Sequence, residues 1–359
     1  MAGGVMLMAG GTGGHVFPAL AVAQELRDRG VAVSWIGTPD SFESRLVPQH
    51  GFEIQLVNIK GLRGNGMMRW LSAPFKLVRA MFQAGRILRR VRPGVVLGMG
   101  GFVTGPGGLM ARLFGIPLVI HEQNAVPGMT NSWLSRVATR VFEAFPGSFA
   151  ERVGARVCGN PVRREIAALP GPAVRMQGRN GPIRLLVVGG SLGAQALNQA
   201  IPRVLATLEP TDRPQVRHQS GRDKSEVTQA AYRELGVEAQ VSDFIQDMAE
   251  AYGWADLVVC RAGALTVSEL ATAGVASILV PFPHAVDDHQ TRNAEYLVNA
   301  GAARLLPQVE LEQHGFSAAL KALLVERESL QAMAVKAQSL AMPGATQTVA
   351  DYCEEMANR

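Results

Sequence analysis

Val5-Met6-Leu7-Met8-Ala9-Gly10-Gly11-Thr12-Gly13-Gly14 is matched without a gap by Arg184-Leu185-Leu186-Val187-Val188-Gly189-Gly190-Ser191-Leu192-Gly193. In each copy a short apolar, β-prone run ends in paired glycines and an Ala-rich helical pattern follows, so the chain restarts near residue 183. Further apolar runs of strand length at 31–36, 95–97, 118–120, Leu257–Cys260 and 277–280 alternate with longer helical patterns. Strands that each lead into a helix imply parallel sheets. A chain of 359 residues is also more than one hydrophobic core usually serves. The expected class is therefore α/β, two doubly wound domains whose glycine loops sit at the carboxyl ends of the strands and face a central cleft. Gly159-Asn160-Pro161-Val162 and the Gly- and Pro-rich stretch 170–182 are the linker candidates, which places the boundary within 160–182.

Composition excludes other classes. Apolar residues make up 47%, charged residues 18% and aromatics 6%, a balance that buries a core and is not that of a disordered chain. The net charge of +5 hides an asymmetry: up to Arg163 there are 18 basic and 8 acidic residues, and from Arg164 onward 17 basic and 22 acidic. Cys158, Cys260 and Cys353 lack CxxC spacing, which argues against a disulfide framework or a structural zinc and fits a reducing compartment. The uncharged, glycine-rich start has no basic n-region, so it does not read as a secretory signal. Residues 93–111 carry no charge, but seven glycines and two prolines unfit them for a membrane span.

Glycine loops between a strand and a helix expose backbone N–H groups toward which the helix dipole also points, a setting for phosphate. The loop Gly10 to His15 is not the dinucleotide fingerprint: Val16 stands where its third glycine belongs, and no acidic residue closes the next strand. A tight strand-to-helix turn is the alternative reading of one such loop. A further loop, Gly98-Met99-Gly100-Gly101-Phe102-Val103-Thr104-Gly105-Pro106-Gly107-Gly108, concentrates so much backbone entropy that close approach of a ligand is expected to justify it. In the second half, Arg261-Ala262-Gly263-Ala264-Leu265-Thr266-Val267-Ser268-Glu269 opens a helix. Its first-turn N–H groups suit a diphosphate and Glu269 suits a ribose.

These loops, with His121-Glu122-Gln123-Asn124, Gly159-Asn160-Pro161-Val162-Arg163 and Asp288-His289-Gln290-Thr291-Arg292-Asn293-Ala294, occur in an order that resembles the MurG family. These are the bacterial transferases that add N-acetylglucosamine to undecaprenyl-diphosphate-linked N-acetylmuramoyl-pentapeptide in peptidoglycan synthesis, and so serve cell shape and division. The resemblance spans nearly the whole chain. It implies a GT-B fold, with residues 1–162 and a returning C-terminal helix at 341–359 binding acceptor and membrane, and residues 163–340 binding UDP-N-acetylglucosamine. It also implies an inverting transfer without cofactor, at the cytoplasmic face of the plasma membrane, by a peripheral protein that admits complexes with other cell-wall enzymes.

Carried over by position, the donor contacts are Thr12, Gly13, Gly14, Asn124, Arg163, Ser191, Ile245, Ala264, Leu265, Thr266, Val267, Ser268, Glu269 and Gln290. Among them Ile245 would face uracil, Glu269 the ribose, Ser191 the diphosphate and Gln290 the sugar hydroxyls. Gly100, Gly101, Thr104 and His121 fall on the acceptor side. One departure is Phe102, where the family often has Tyr, so a phenolic hydroxyl there is not required. Two other readings stand beside transfer: a UDP-N-acetylglucosamine 2-epimerase of the same architecture, and a nucleotide-sugar-binding protein without catalysis.

Inverting transfer needs a base for the acceptor hydroxyl and a sink for the departing UDP. With no Asp-x-Asp to hold a metal, the sink falls to helix N-termini and cations such as Arg163. His15 is the first choice of base, since imidazole is matched to neutral pH, and Glu122 is its rival. Finally, no acidic residue lies between Glu53 and Glu122, a stretch holding ten Lys and Arg. Read as a helix, it places Lys76, Arg79, Arg86 and Arg90 in one row. Leu77, Met81, Ala84, Leu88 and Val91 are expected against the sheet on one side, and Leu71, Phe75, Val78 and Phe82 lie on the other. With Trp70 just upstream, that second strip suits an anionic bilayer better than nucleic acid, for which no stacking module is present.

Overall fold

Among the described residues, thirteen short strands form two all-parallel sheets. The computed structural model describes residues 3–59, 67–190, 193–312 and 314–359. The first sheet comprises β1 (Val5–Met8), β2 (Val33–Gly37), β3 (Glu53–Leu56), β4 (Val95–Gly98), β5 (Leu118–Glu122), β6 (Arg140–Glu143) and β7 (Arg156–Val157), in the order β3-β2-β1-β4-β5-β6-β7. The second comprises β8 (Arg184–Val188), β9 (Gln215–Gln219), β10 (Gln240–Ser242), β11 (Leu257–Cys260), β12 (Ala276–Leu279) and β13 (Ala303–Leu305), in the order β10-β9-β8-β11-β12-β13. Two compact units result, residues 1–163 with 342–359 and residues 164–341.

In the first unit β1 is buried at every position because helices cover both faces of the sheet. On one face the helix Gly13–Asp28 turns Val16, Ala19, Leu20, Ala23 and Leu26 inward at helical spacing. Val349, Ala350, Cys353, Met356 and Ala357 of the helix Ala345–Asn358 complete that layer. The Gly3 N–H donates to the Ala357 carbonyl, which ties the first strand's approach to this last helix. Arg29 reinforces the tie through Asp351 and Glu354.

On the other face lie the helices Met67–Val91 and Thr104–Leu113. The sheet-facing strip of the former keeps Ala84 and Leu88 of the set expected from sequence and adds Ala80 and Ile87, while Leu77 and Val91 turn outward. Leu77 is 45% exposed and Val91 36%. Each buried Leu or Ile in these layers contributes about 1.5–3 kcal/mol of burial.

The second unit repeats the plan. Leu185, Val187, Leu257, Val259, Ile278 and Val280 pack under helices that include Gln195–Ala206 and Arg327–Ser339. Asp256, fully buried just before β11, receives Arg179 and Arg327 at 2.6 Å each and the Arg184 N–H at 3.0 Å. The side chains of Cys158, Cys260 and Cys353 are buried, and burial pushes each thiol up to about 12. Among the described residues no helix is long and apolar enough to cross a membrane.

Candidate functional site

The order in which successive strands are added reverses between β1 and β4 in the first sheet and between β8 and β11 in the second. At such switch points the loops leaving the two strands diverge and open a crevice. In the first unit these are the loops at Gly10 and at Gly98. They meet directly: the Gly10 N–H donates to the Gly100 carbonyl at 3.3 Å. A Cβ on Gly101 would stand 2.5 Å from the Gly10 oxygen, and one on Gly100 would stand 2.7 Å from His15 Nδ1. Both glycines have positive φ. Gly107 and Gly108 clear Met8 and Leu134, which lets their helix lie on the sheet. The close approach expected of a ligand at these glycines is therefore made by the protein itself. Thr104 is likewise buried, its hydroxyl donating to the Met8 and Gly100 carbonyls, so it braces the loop and presents nothing to an acceptor.

His15, in the first turn of Gly13–Asp28, ends a chain of hydrogen bonds whose directions are fixed by its far end. The Gly159 carbonyl can only accept, so His121 donates to it from Nε2 at 2.9 Å. His121 is fully buried, and burial lowers its pKa to about 4, so the ring is neutral near pH 7 and its Nδ1 must accept. The Gln123 Nε2–H supplies that donor at 3.1 Å, which turns Gln123 Oε1 toward His15 Nδ1 at 2.8 Å. His15 Nδ1 therefore carries a proton toward Gln123, and in the neutral imidazole the lone pair is on Nε2. His121, expected on the acceptor side, is the buried middle of this relay. Gln123, absent from the expected site, orients the ring.

Glu122, the rival base, is engaged in hydrogen bonds to its own loop. Its carboxylate is 1% exposed and accepts from the Asn124 N–H, Asn124 Nδ2, the Gly128 N–H and Asn131 Nδ2 at 2.9–3.1 Å. Four donors saturate both oxygens, and their work is to hold the Asn124 loop. Glu43 does the same for the first glycine loop, accepting from the Gly11 N–H, the Thr38 N–H and the Thr38 hydroxyl at 2.7–3.1 Å. Burial alone would raise the Glu43 pKa, but the donors from Thr38 and the backbone outweigh it and hold the carboxyl below its ordinary value. Thr12 stands at the N-cap, Gly13 and Gly14 open the helix, and Arg163 stacks on Phe17 at 5.3 Å.

The helix Met67–Val91 carries the basic row. Phe75, Val78 and Phe82 are 76%, 57% and 73% exposed beside the exposed Lys76, Arg79 and Arg86. The side chains of Trp70 and Leu71 lie outside the described residues. Lys76 and Arg79 also line a cavity of about 530 Å³ that reaches Gly10, Gly11, Asn58 and Phe102. This places the cationic helix and the first glycine loop on one hollow.

In the second unit the helix Ala264–Ala273 starts directly after Gly263, with Leu265 and Thr266 in its first turn and Val267 buried beneath. Ser268 returns its hydroxyl to the Ala264 carbonyl. Glu269, 3% exposed, accepts from the buried Tyr252 hydroxyl at 3.1 Å. Tyr252 is a partner that sequence spacing gives no sign of. Gln290 accepts the Phe282 N–H through Oε1 at 2.9 Å. Ile245 follows Asp243, whose carboxylate accepts from the Lys224 and Ser225 N–H groups. Ser191 lies outside the described residues. Among those described, no three His, Cys, Asp or Glu side chains gather to hold a metal ion.

Comparison with known proteins adds to this geometry. Residues 5–143 match the glycosyltransferase family 28 N-terminal domain and residues 184–349 the family 28 C-terminal domain. A Marinobacter nauticus protein is 57% identical over 98% of this chain and 97% of its own, and an Ectopseudomonas mendocina protein is 56% identical over 99% of each. Both are named UDP-N-acetylglucosamine–N-acetylmuramyl-(pentapeptide) pyrophosphoryl-undecaprenol N-acetylglucosamine transferase. The crystal structure of Acinetobacter baumannii MurG superposes with a TM-score of 0.85 at 47% identity, covering 98% of this chain and 99% of that one.

Proposed function

The chain belongs to glycosyltransferase family 28, and on that premise we propose how its residues divide the work. It is an N-acetylglucosaminyltransferase of GT-B fold that moves N-acetylglucosamine from UDP-N-acetylglucosamine to N-acetylmuramoyl-pentapeptide on undecaprenyl diphosphate. The observation that carries the mechanism is the relay ending at His15. Its Nε2 is the basic atom, and Gln123 holds the ring so that the lone pair does not rotate away. His15 takes the proton of the acceptor hydroxyl as that oxygen attacks the anomeric carbon, and the bond to UDP breaks.

The leaving charge falls on the first turn of Ala264–Ala273, whose backbone N–H groups are fixed before the reaction begins. Glu269, oriented by Tyr252, receives the ribose. On the acceptor side Lys76 and Arg79 meet the lipid diphosphate at the cationic wall of the cavity, which leaves its Gly10–Gly11 end to the sugar.

Purified protein given UDP-N-acetylglucosamine and the lipid-linked monosaccharide is expected to form disaccharide-lipid and UDP in equal amounts, read by mass spectrometry. Isomerised sugar nucleotide without disaccharide would instead identify an epimerase, and neither product a binding protein.

The exposed strip Phe75, Val78 and Phe82 beside Lys76, Arg79 and Arg86 supports attachment to an anionic bilayer. There each cation adds about 1 kcal/mol and salt weakens the sum. Binding to phosphatidylglycerol vesicles is expected to fall at least about tenfold in Phe75→Ser, Phe82→Ser, two apolar side chains each contributing about 1.5–3 kcal/mol when buried. Cosedimentation unchanged by the double substitution would refute the assignment.

A further inference from the structure

The two copies of the opening repeat differ at one informative point. Gly11 and Gly190 occupy equivalent positions, both with positive φ, and in each the backbone N–H is taken by a side chain that follows from the neighbouring strand. At Gly11 the acceptor is the Glu43 carboxylate at 3.1 Å. At Gly190 it is the Gln219 carboxamide at 2.9 Å, on the last residue of β9. The Gln219 Nε2–H donates in turn to the Gly190 carbonyl at 3.0 Å and to the Asp243 carbonyl at 2.7 Å. Gln219 is 3% exposed, and Glu43 is fully buried.

We propose that Gln219 is a positioning residue for the donor's diphosphate, and that its neutrality, set against the anion at the equivalent place in the first repeat, directs the diphosphate to the second domain's loop. This rests on the reading that the loop at Gly190 receives the nucleotide diphosphate. An anion on that loop stands within a few ångströms of whatever accepts the Gly190 N–H. A carboxylate there repels it through a partly desolvated medium, whereas a carboxamide fixes the same N–H without charge. The first loop, built on Glu43, is left to uncharged sugar. Gln219 also joins the Gly190 loop to the segment carrying Ile245, so diphosphate and uracil sites are set by one side chain.

Two variants separate charge from scaffolding, with dissociation constants for uridine, UDP and UDP-N-acetylglucosamine measured by calorimetry. Gln219→Leu and Gln219→Glu both lose the bonds donated to Gly190 and Asp243, so both weaken uridine alike. Only Gln219→Glu adds a charge, and its affinity for UDP is expected to fall about tenfold or more below that of Gln219→Leu. Equal UDP affinities in the two variants would overturn the proposal. If wild-type protein binds uridine as tightly as UDP, the diphosphate reading of the loop fails first, and the two failures are thereby distinct. Should the charged variant not fold, Gln219→Leu decides alone: its UDP-to-uridine affinity ratio is expected to drop at least about threefold, and an unchanged ratio refutes positioning.

Discussion

His15→Ala is expected to lower kcat by about 10² to 10⁴ with both substrates saturating, the range that a positioned proton acceptor supplies. The substitution removes the atom at the end of the relay and leaves the glycine loops room to keep their mutual contact, since Gly100 then faces a smaller neighbour. KM for UDP-N-acetylglucosamine should move little. Gln123→Leu is the companion: the imidazole remains, but nothing fixes the proton on Nδ1, and a kcat loss of about tenfold with near-normal KM is expected. A kcat for His15→Ala within about tenfold of wild type would remove His15 from the base role.

Asp256→Ala is expected to cost the second domain at least about 3 kcal/mol, because it strands Arg179 and Arg327 beside a buried void and leaves the Arg184 N–H without its acceptor. The side chain of Asp256 is wholly buried while those of its arginines are 11% and 23% exposed, so solvent replaces little of what is lost. For a unit of this size the melting midpoint should fall by about 10 °C. Differential scanning calorimetry should show that loss in one transition, with the other unchanged. A shift below about 2 °C would mean that the backbone carbonyls around Arg179 suffice without the carboxylate.

Seven of the thirteen strands were legible as apolar runs because parallel strands covered on both faces carry apolar residues at nearly every position. The six that were not are short or polar. β9, Gln215–Gln219, is not an apolar run, yet His218 is buried between the Tyr232 hydroxyl and Asn198, and Gln219 between two loops. Hydrogen-bonded polar side chains replace the apolar pattern there, and no periodicity reports it. The site followed the same rule. His15 stands out in the sequence by its place at the end of a glycine loop. Gln123, quoted within its motif, was not, because its partner lies 108 residues away. Glu122 had the chemistry of a base, but only the four donors around it show that it is occupied.

The helix Ala345–Asn358 has a bearing on synthesis. Its Val349, Ala350 and Cys353 are fully buried in the layer that covers β1, and Ala357 accepts from Gly3. A ribosome that has released residues 1–163 has therefore not yet supplied the material to close their hydrophobic layer. Residues 164–341, emerging later, already contain everything their own core needs. The domain that is translated first is thus the last to mature. Until the final turns arrive it must persist with one face of its sheet incompletely covered, the condition in which chaperones hold a nascent chain.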